Sequence, residues 1–269
     1  MNRLLSAVLL AVPLLGTLMI VWAIFGWWPL AGHWLPENVN AYGGVIDHLW
    51  YLIFWITGAI FIGTGLLLAW LVQVGGWRAD RRAPAIHGNH KLEVVWAVVP
   101  GLILIFLSLY QFDAWTRNKM ARPTRPAADG HEEPIEASVR VVARQFDWDF
   151  WYPGPDGLFD TLDDVMLTGE LHVPVDEPVV LQIETQDVLH SFFVPSLRVK
   201  QDIVSGMRQL VWFRATKPGD YEIACTELCG WGHYKMKAVM TVHSAEDYAA
   251  WRARAEAAAG ATTVGAAEP

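Results

Sequence analysis

Both cysteines of this 269-residue chain lie in one short stretch, Ala224-Cys225-Thr226-Glu227-Leu228-Cys229-Gly230-Trp231-Gly232-His233-Tyr234-Lys235-Met236. Thiolate, imidazole and thioether within 12 residues form the soft donor set that selects copper. A mononuclear blue-copper loop needs one Cys with His and a weak axial Met. The second Cys, four positions on, supplies a further bridging thiolate and suits two metals sharing two sulfurs. Each metal then wants one terminal imidazole, so another His must come from elsewhere. His190, in Asp187-Val188-Leu189-His190-Ser191-Phe192, is the best candidate. Two other readings stay open on spacing alone. A Cys225–Cys229 disulfide is possible outside the cytosol but leaves His233 and Met236 unexplained. A structural zinc site prefers more Cys or His and has no use for Met.

The elements that must position this loop are short runs rich in Val, Ile and aromatics. They fall at 135–152, 165–173, 178–186, 190–194, 197–204, 207–216, 219–225 and 236–243. Their spacing predicts an antiparallel sandwich or barrel, with the donor loop joining the last two strands. Ser244 with Asp247 three residues on predicts a short C-terminal helix over about 244–259. A Pro-, Ala- and charge-rich linker at 116–134 precedes the strands.

The first half reads differently. No charged residue occurs between Arg3 and Glu37, between Asp47 and Arg78, or between Glu93 and Asp113. A membrane span needs ~20 apolar residues, so helices over 45–74 and 94–115 are predicted. A third, over 4–30, is preferred to a cleaved signal peptide, whose apolar region runs only ~7–15 residues. Ten of the 15 Trp lie in residues 1–115, several near run ends where indoles anchor at headgroups. Residues 1–130, the anchor and linker, carry a net charge of +3, and residues 131–269, the soluble domain, carry −11. An α+β membrane protein is the class this implies, and disorder and nucleic-acid binding are excluded. Arg78, Arg81, Arg82 and Lys91 in the turn are matched by Arg117, Lys119, Arg122 and Arg125 after the last helix, so basic residues alone do not orient the anchor.

The pattern Cys225-x-Glu227-x-Cys229-x-x-x-His233-x-x-Met236, with Asp187-Val188-Leu189-His190-Ser191 upstream, resembles subunit II of haem–copper cytochrome c oxidases. The likeness extends to Val194-Pro195-Ser196-Leu197, Pro218-Gly219-x-Tyr221 and His87-Gly88-Asn89-x-x-Leu92-Glu93-x-x-Trp96-x-x-x-Pro100. It implies a cupredoxin-like Greek-key sandwich holding a binuclear copper centre of the Cu-A type. Cys225 and Cys229 would bridge both coppers, and His190 and His233 would each cap one. Met236 and the Glu227 carbonyl would be axial ligands, and the Glu227 carboxylate would help bind magnesium shared with subunit I. The implied partners are subunits I and III and a basic cytochrome c. The electron would pass on to haem in subunit I, where oxygen is reduced and protons are translocated. Glu93 matches an acidic residue at the mouth of a proton pathway; as a carboxylate at a helix start it is also favoured by the dipole. Function then orients the chain, with the copper domain on the periplasmic side of the bacterial inner membrane and the Arg78–Arg82 turn inside.

Between Gln145 and Leu197 there are eleven acids and no Lys or Arg, a surface to which a basic donor would be steered. Four of these acids, Asp156, Asp160, Asp163 and Asp164, sit in a Gly/Pro loop that lacks EF-hand spacing and is expected to be a solvated hairpin tip. Where the family usually has Trp-x-Trp, this chain has Phe146-Asp147-Trp148, which leaves Phe146, Trp148 and Trp151 as candidates for receiving the electron. Ser205 stands where Pro is usual before Gly206. Rival functions are a membrane-anchored copper chaperone and a quinol-oxidase-like subunit II. The first is expected to alternate helices and strands as thioredoxin does, and the second lacks the copper ligands.

Overall fold

The computed structural model describes residues 2–30, 32, 34–75, 85 and 87–265. Three helices come first, α1 (Asn2–Ile24), α2 (Gly43–Gly75) and α3 (His90–Trp115), each long and apolar enough to cross a membrane. The first stops at Ile24, short of the expected Leu30. Gly26, at φ +63°, takes the left-handed exit that ends many helices, and Pro29, without an N–H to donate, cannot continue it. Small groups seat α1 on α2: buried Ser6 donates from Oγ to the Ala69 carbonyl at 3.0 Å. Gly65 leaves room for Pro13, whose ring would lie 2.7 Å from any Cβ there. Helix α3 begins before residue 94 because Asn89 caps it. The Leu92 N–H reaches Asn89 Oδ1 at 3.3 Å, and Glu93 returns a carboxylate oxygen to the Asn89 N–H at 3.3 Å. The Arg78–Arg82 turn lies outside the described residues.

The chain divides into two compact units, Met1–Pro36 with Asp47–Asp113, and Glu37–Ile46 with Ala114–Pro269. Residues 37–46, which sequence places with the anchor, therefore belong with the strands. Val39 is buried, Asn40 pairs with Ala215 and donates to the Leu197 carbonyl at 2.9 Å, and Glu37 meets Lys217 at 2.7 Å.

In this second unit a small hairpin, β1 (Thr124–Pro126) and β2 (Glu132–Pro134), precedes ten longer strands. These are β3 (Val139–Arg144), β4 (Asp147–Tyr152), β5 (Val165–Thr168), β6 (Glu170–Pro174) and β7 (Pro178–Thr185). They continue as β8 (His190–Val194), β9 (Val199–Ile203), β10 (Gln209–Arg214), β11 (Gly219–Cys225) and β12 (Lys237–His243), and helix α4 (Ala245–Gly265) follows. Two sheets result, ordered β10-β7-β3-β4-β5 and β6-β12-β11-β8-β9. This is the Greek-key sandwich expected, with one parallel pair in each sheet, β3 with β7 and β6 with β12. The predicted strand 165–173 is in fact two. Gly169 (φ +80°) breaks it, donates its N–H to the Trp148 carbonyl at 2.8 Å, and sends the chain from one sheet to the other.

Between the sheets the alternate residues Trp148, Phe150 and Tyr152 of β4 meet Leu171, Leu181, Ile183, Phe192, Phe213 and Ile223, all fully buried. Each such side chain contributes roughly 1.5–3 kcal/mol by leaving water. Ser244 caps α4 by accepting the Asp247 N–H at 3.1 Å, and Trp251 stacks on His172 with centroids 4.5 Å apart.

On the outer face, Asp149 accepts from Arg144 Nε at 2.7 Å and Thr168 Oγ1 at 2.6 Å. Burial pushes its carboxyl up, but Arg144 and Thr168 together hold it below the usual carboxylate value. A depressed value means stability that is present at neutral pH and lost as pH falls through the folded value. Asp149→Asn should therefore cost about 1–3 kcal/mol at pH 7, and the gap to wild type should close below about pH 4. Urea unfolding of the full chain at both pH values measures this; equal stability at pH 7 would refute it.

Candidate metal centre

Strand pairing brings distant donors together. Cys225, the last residue of β11, stands opposite Phe192 of β8, so His190 at the start of β8 arrives at the same end of the sheet. The loop 226–236 is closed at its base where the Cys225 N–H donates to the Met236 carbonyl at 3.1 Å and the Thr226 N–H to the Ser191 carbonyl at 3.2 Å. A single 3-10 turn, His233–Lys235, folds the imidazole back toward the cysteines.

The donors form a continuous series. Cys225 Sγ lies 3.9 Å from His190 Nδ1 and 3.9 Å from Cys229 Sγ. Cys229 Sγ lies 3.7 Å from both His233 Nδ1 and Met236 Sδ. The Glu227 carbonyl oxygen is 3.2 Å from Cys225 Sγ. Both cysteines are free, so the disulfide alternative is not what the structure contains. His190, Cys225, Cys229 and Met236 are buried, whereas His233 is half-buried. His190, Cys225 and Cys229 place one ligand atom each within 4.8 Å of one another. Thiols 3.9 Å apart can both reach one ion at the ~2.3 Å of a metal–thiolate bond. The set fits copper: soft sulfur, imidazole and thioether in a largely buried cluster.

The protonation pattern agrees. Burial pushes the Cys225 thiol up, but hydrogen bonds from His190 and from the Ser191 and Glu227 backbone outweigh it and bring it to about 6. Burial, and then the charge on Cys225, push Cys229 up to about 11. The pair thus holds one negative charge readily and a second only beside a cation.

Supports of the ligands are residues whose roles the sequence did not announce. Asp187 Oδ1 sits 2.7 Å from His190 Nε2, which fixes the ring and leaves Nδ1 facing Cys225. Its other oxygen accepts the Gln145 N–H at 2.7 Å, and Ser205 Oγ donates to its carbonyl at 2.7 Å. Ser205, to which no role attached, thus steadies Asp187. Gln145 Nε2 donates to the Cys229 carbonyl at 2.5 Å. The signal for Asp187 was present as an acid three residues before a ligand His; those for Gln145 and Ser205 were not.

The three candidates for receiving the electron separate clearly. Trp148 is fully buried, its ring 6.3 Å from that of His190. Trp151 points to the outer face of β4, lining a cavity with Arg140, Asp160 and Arg208. Phe146 is half-buried and packs on the donor loop, edge-on to Trp231 at 5.2 Å. Glu93 lies in the other unit, as the cap of α3.

Phe146 explains a glycine. A Cβ on Gly232 would sit 2.5 Å from the Phe146 ring, closer than atoms pack. Gly232→Ala should cost about 1–3 kcal/mol through overpacking and lower the copper retained after dialysis. In the background Phe146→Ala the same change should cost much less; an undiminished cost there, read from thermal unfolding, would disprove the contact argument.

Comparison with known proteins gives the family. Residues 156–243 match the family described as cytochrome c oxidase subunit II, periplasmic domain, and residues 36–114 match its transmembrane domain. The alternative cytochrome c oxidase subunit 2 of Bradyrhizobium diazoefficiens is 30% identical, covering 91% of this chain and 90% of its own. Cytochrome c oxidase subunit 2 of Synechocystis sp. is 29% identical, over 81% of this chain and 74% of its own. The solved periplasmic domain of subunit II of cytochrome oxidase from Bradyrhizobium japonicum is 24% identical, covering 46% of this chain and 96% of that one, with a TM-score of 0.41. Anchored by apolar helices, with a periplasmic domain that carries a His/Cys cluster, the chain belongs to the cytochrome c oxidase subunit II family.

Proposed function

We propose that this chain receives electrons for a membrane cytochrome c oxidase at a binuclear copper site and hands them to haem in subunit I. The observation that carries the reading is the pair of free, buried thiols 3.9 Å apart with an imidazole beside each. His190, Cys225, Cys229, His233, Met236 and the Glu227 carbonyl would hold the copper. That His233 and Met236 approach Cys229, whereas His190 and the Glu227 carbonyl approach Cys225, supports two ions rather than one.

Bound copper supplies a one-electron couple. What the chain's own residues do is hold the donors still and keep water out. Asp187 fixes His190, the closed base of the loop fixes Cys225 against Met236, and Phe146 lies across Gly230 and Gly232. Donors so held would move little when a bound ion changed its charge, which would keep the reorganisation small. The Glu227 carboxylate is assigned to magnesium at the interface with subunit I, and Glu93 to the mouth of a proton pathway. Subunits I and III and a basic cytochrome c are the assigned partners, in the bacterial inner membrane. The chaperone alternative is disfavoured because residues 139–243 are strands and short turns, without the alternating helices of a thioredoxin-like domain.

The oxidase purified with its full-length subunit should contain two coppers attributable to this chain and show an EPR signal from one electron shared between two copper nuclei. Cys229→Ser should abolish the shared signal. One copper, or zinc without colour, would sink the reading.

The donor's charge has its own test. Oxidation of a basic cytochrome c should slow as ionic strength rises above physiological. The dependence should be shallower than eleven acids imply, because Arg140, Arg144 and Arg208 pair with Asp160, Asp147, Asp149 and Glu184 and offset three of those four charges. A flat rate across the salt series would remove the acidic-surface argument.

A further inference from the structure

We propose that Trp231 is the point of contact for the protein electron donor and the bridge by which its electron reaches the metal site, an inference that rests on the function proposed above. His190, Cys225, Cys229 and Met236 are at most 7% exposed, so a docked protein cannot touch four of the ligating side chains. What does face solvent over them is the loop 226–236. Leu228, Trp231 and Tyr234 there are 77%, 78% and 76% exposed.

Of these, Trp231 has the connections a bridge needs. It lies two residues from Cys229 on one side and two from His233 on the other, so the covalent route to either ligand is short. Its indole meets the Phe146 ring edge-on at 5.2 Å, and that ring fills the space over Gly230 and Gly232. The exposed indole therefore rests on a packed aromatic floor above the donors. Leu228 has no π system, and Trp148 is sealed in the core. Lys235 Nζ stands 5.1 Å from the Trp231 ring. A cation there disfavours loss of an electron from the indole, so Trp231 bridges the transfer without being oxidised itself. The balance is simple: the donor, a small basic haem protein, loses one electron, the copper site gains it, and no proton or bond moves. A large, rigid, exposed indole is also the commonest kind of anchor at a protein interface, and it suits a donor that presents the edge of its haem through an apolar surface.

The test uses the purified oxidase with Trp231→Ala and Trp231→Phe, reduced in a stopped-flow instrument. One reductant is a basic c-type cytochrome, and the other is hexaammineruthenium(II), which needs no docking residue. With the cytochrome at low concentration, Trp231→Ala should slow transfer about 30-fold, the size of a hot-spot truncation. Trp231→Phe should fall between that and wild type. The first-order rate at saturating cytochrome should fall as well, which loss of docking alone would not produce. Reduction by the ruthenium complex and the copper EPR spectrum should be unchanged. Unaltered cytochrome rates in either variant with an intact spectrum would overturn the inference and direct the electron through half-buried His233. Slowing by Trp151→Phe in place of Trp231→Phe would overturn it too. Where Trp231→Ala disturbs the copper spectrum, the ring-conserving Phe variant decides. Absence of the shared copper signal from the wild-type oxidase would instead refute the underlying function.

Discussion

Cys225 and Cys229 keep their sulfurs 3.9 Å apart in a site where both are buried. Two thiolates that close repel strongly at low dielectric, and the chain meets this by favouring only one negative charge in the absence of a cation. His190, the Ser191 and Glu227 backbone, and burial set which sulfur carries it. The surrounding structure follows from holding that unfavourable pair. The β8–β11 pairing sets where His190 meets Cys225, and the hydrogen bond from Cys225 to the Met236 carbonyl sets the loop's closure. A shift of one residue in either would turn the donor side chains to the opposite face of the sheet.

Rigidity at the loop is obtained from outside it. The hairpin between β3 and β4 delivers Gln145 to the Cys229 carbonyl and Phe146 to the glycines, while Asp187 ties that hairpin to His190. Three segments far apart in sequence therefore share one hydrogen-bonded frame. Such a frame has to be satisfied as a whole, since a buried polar group that loses its partner costs about 1–3 kcal/mol. The core behind it, from Trp148 through Phe192, gives the frame a surface that cannot yield.

The donor set was legible because chemistry restricts it. Two thiols, an imidazole and a thioether within one loop demand a further imidazole, and that demand pointed to His190, 35 residues upstream. The spanning helices were legible because uncharged runs of that length have few other uses. Less was visible where backbone conformation decides. Hydrophobicity carried α1 on to Leu30, although Gly26 ends it, and β-propensity ran through Gly169, where the chain changes sheets. Segment 37–46 looked like part of the anchor because nothing in its composition shows that Val39 and Asn40 pack on the strands. Hydrogen bonds from Ser205 and Gln145 join positions many residues apart and leave no local pattern at all.

The acidic stretch shows the same limit in electrostatic form. Counting charges along the chain gives eleven acids without a base, yet a field depends on neighbours in space. Arg140 and Arg144 enter from β3, just before the stretch begins, and Arg208 approaches from just before β10. Arg140 is the most committed of these, with its side chain only 11% exposed, paired with Asp160 and lying 4.7 Å from the Phe159 ring. Asp160 thus fastens the loop 153–164 to the sheet. Asp156, Asp163 and Asp164 accept hydrogen bonds from Leu158, Thr161 and Asp160 within that loop. Its carboxylates serve mainly to shape a turn, as a hairpin tip requires, and the net negative field near the metal loop comes from fewer groups than the sequence displays. Steering by so modest a field would favour a contact that also offers apolar area, such as the exposed Trp231 of loop 226–236.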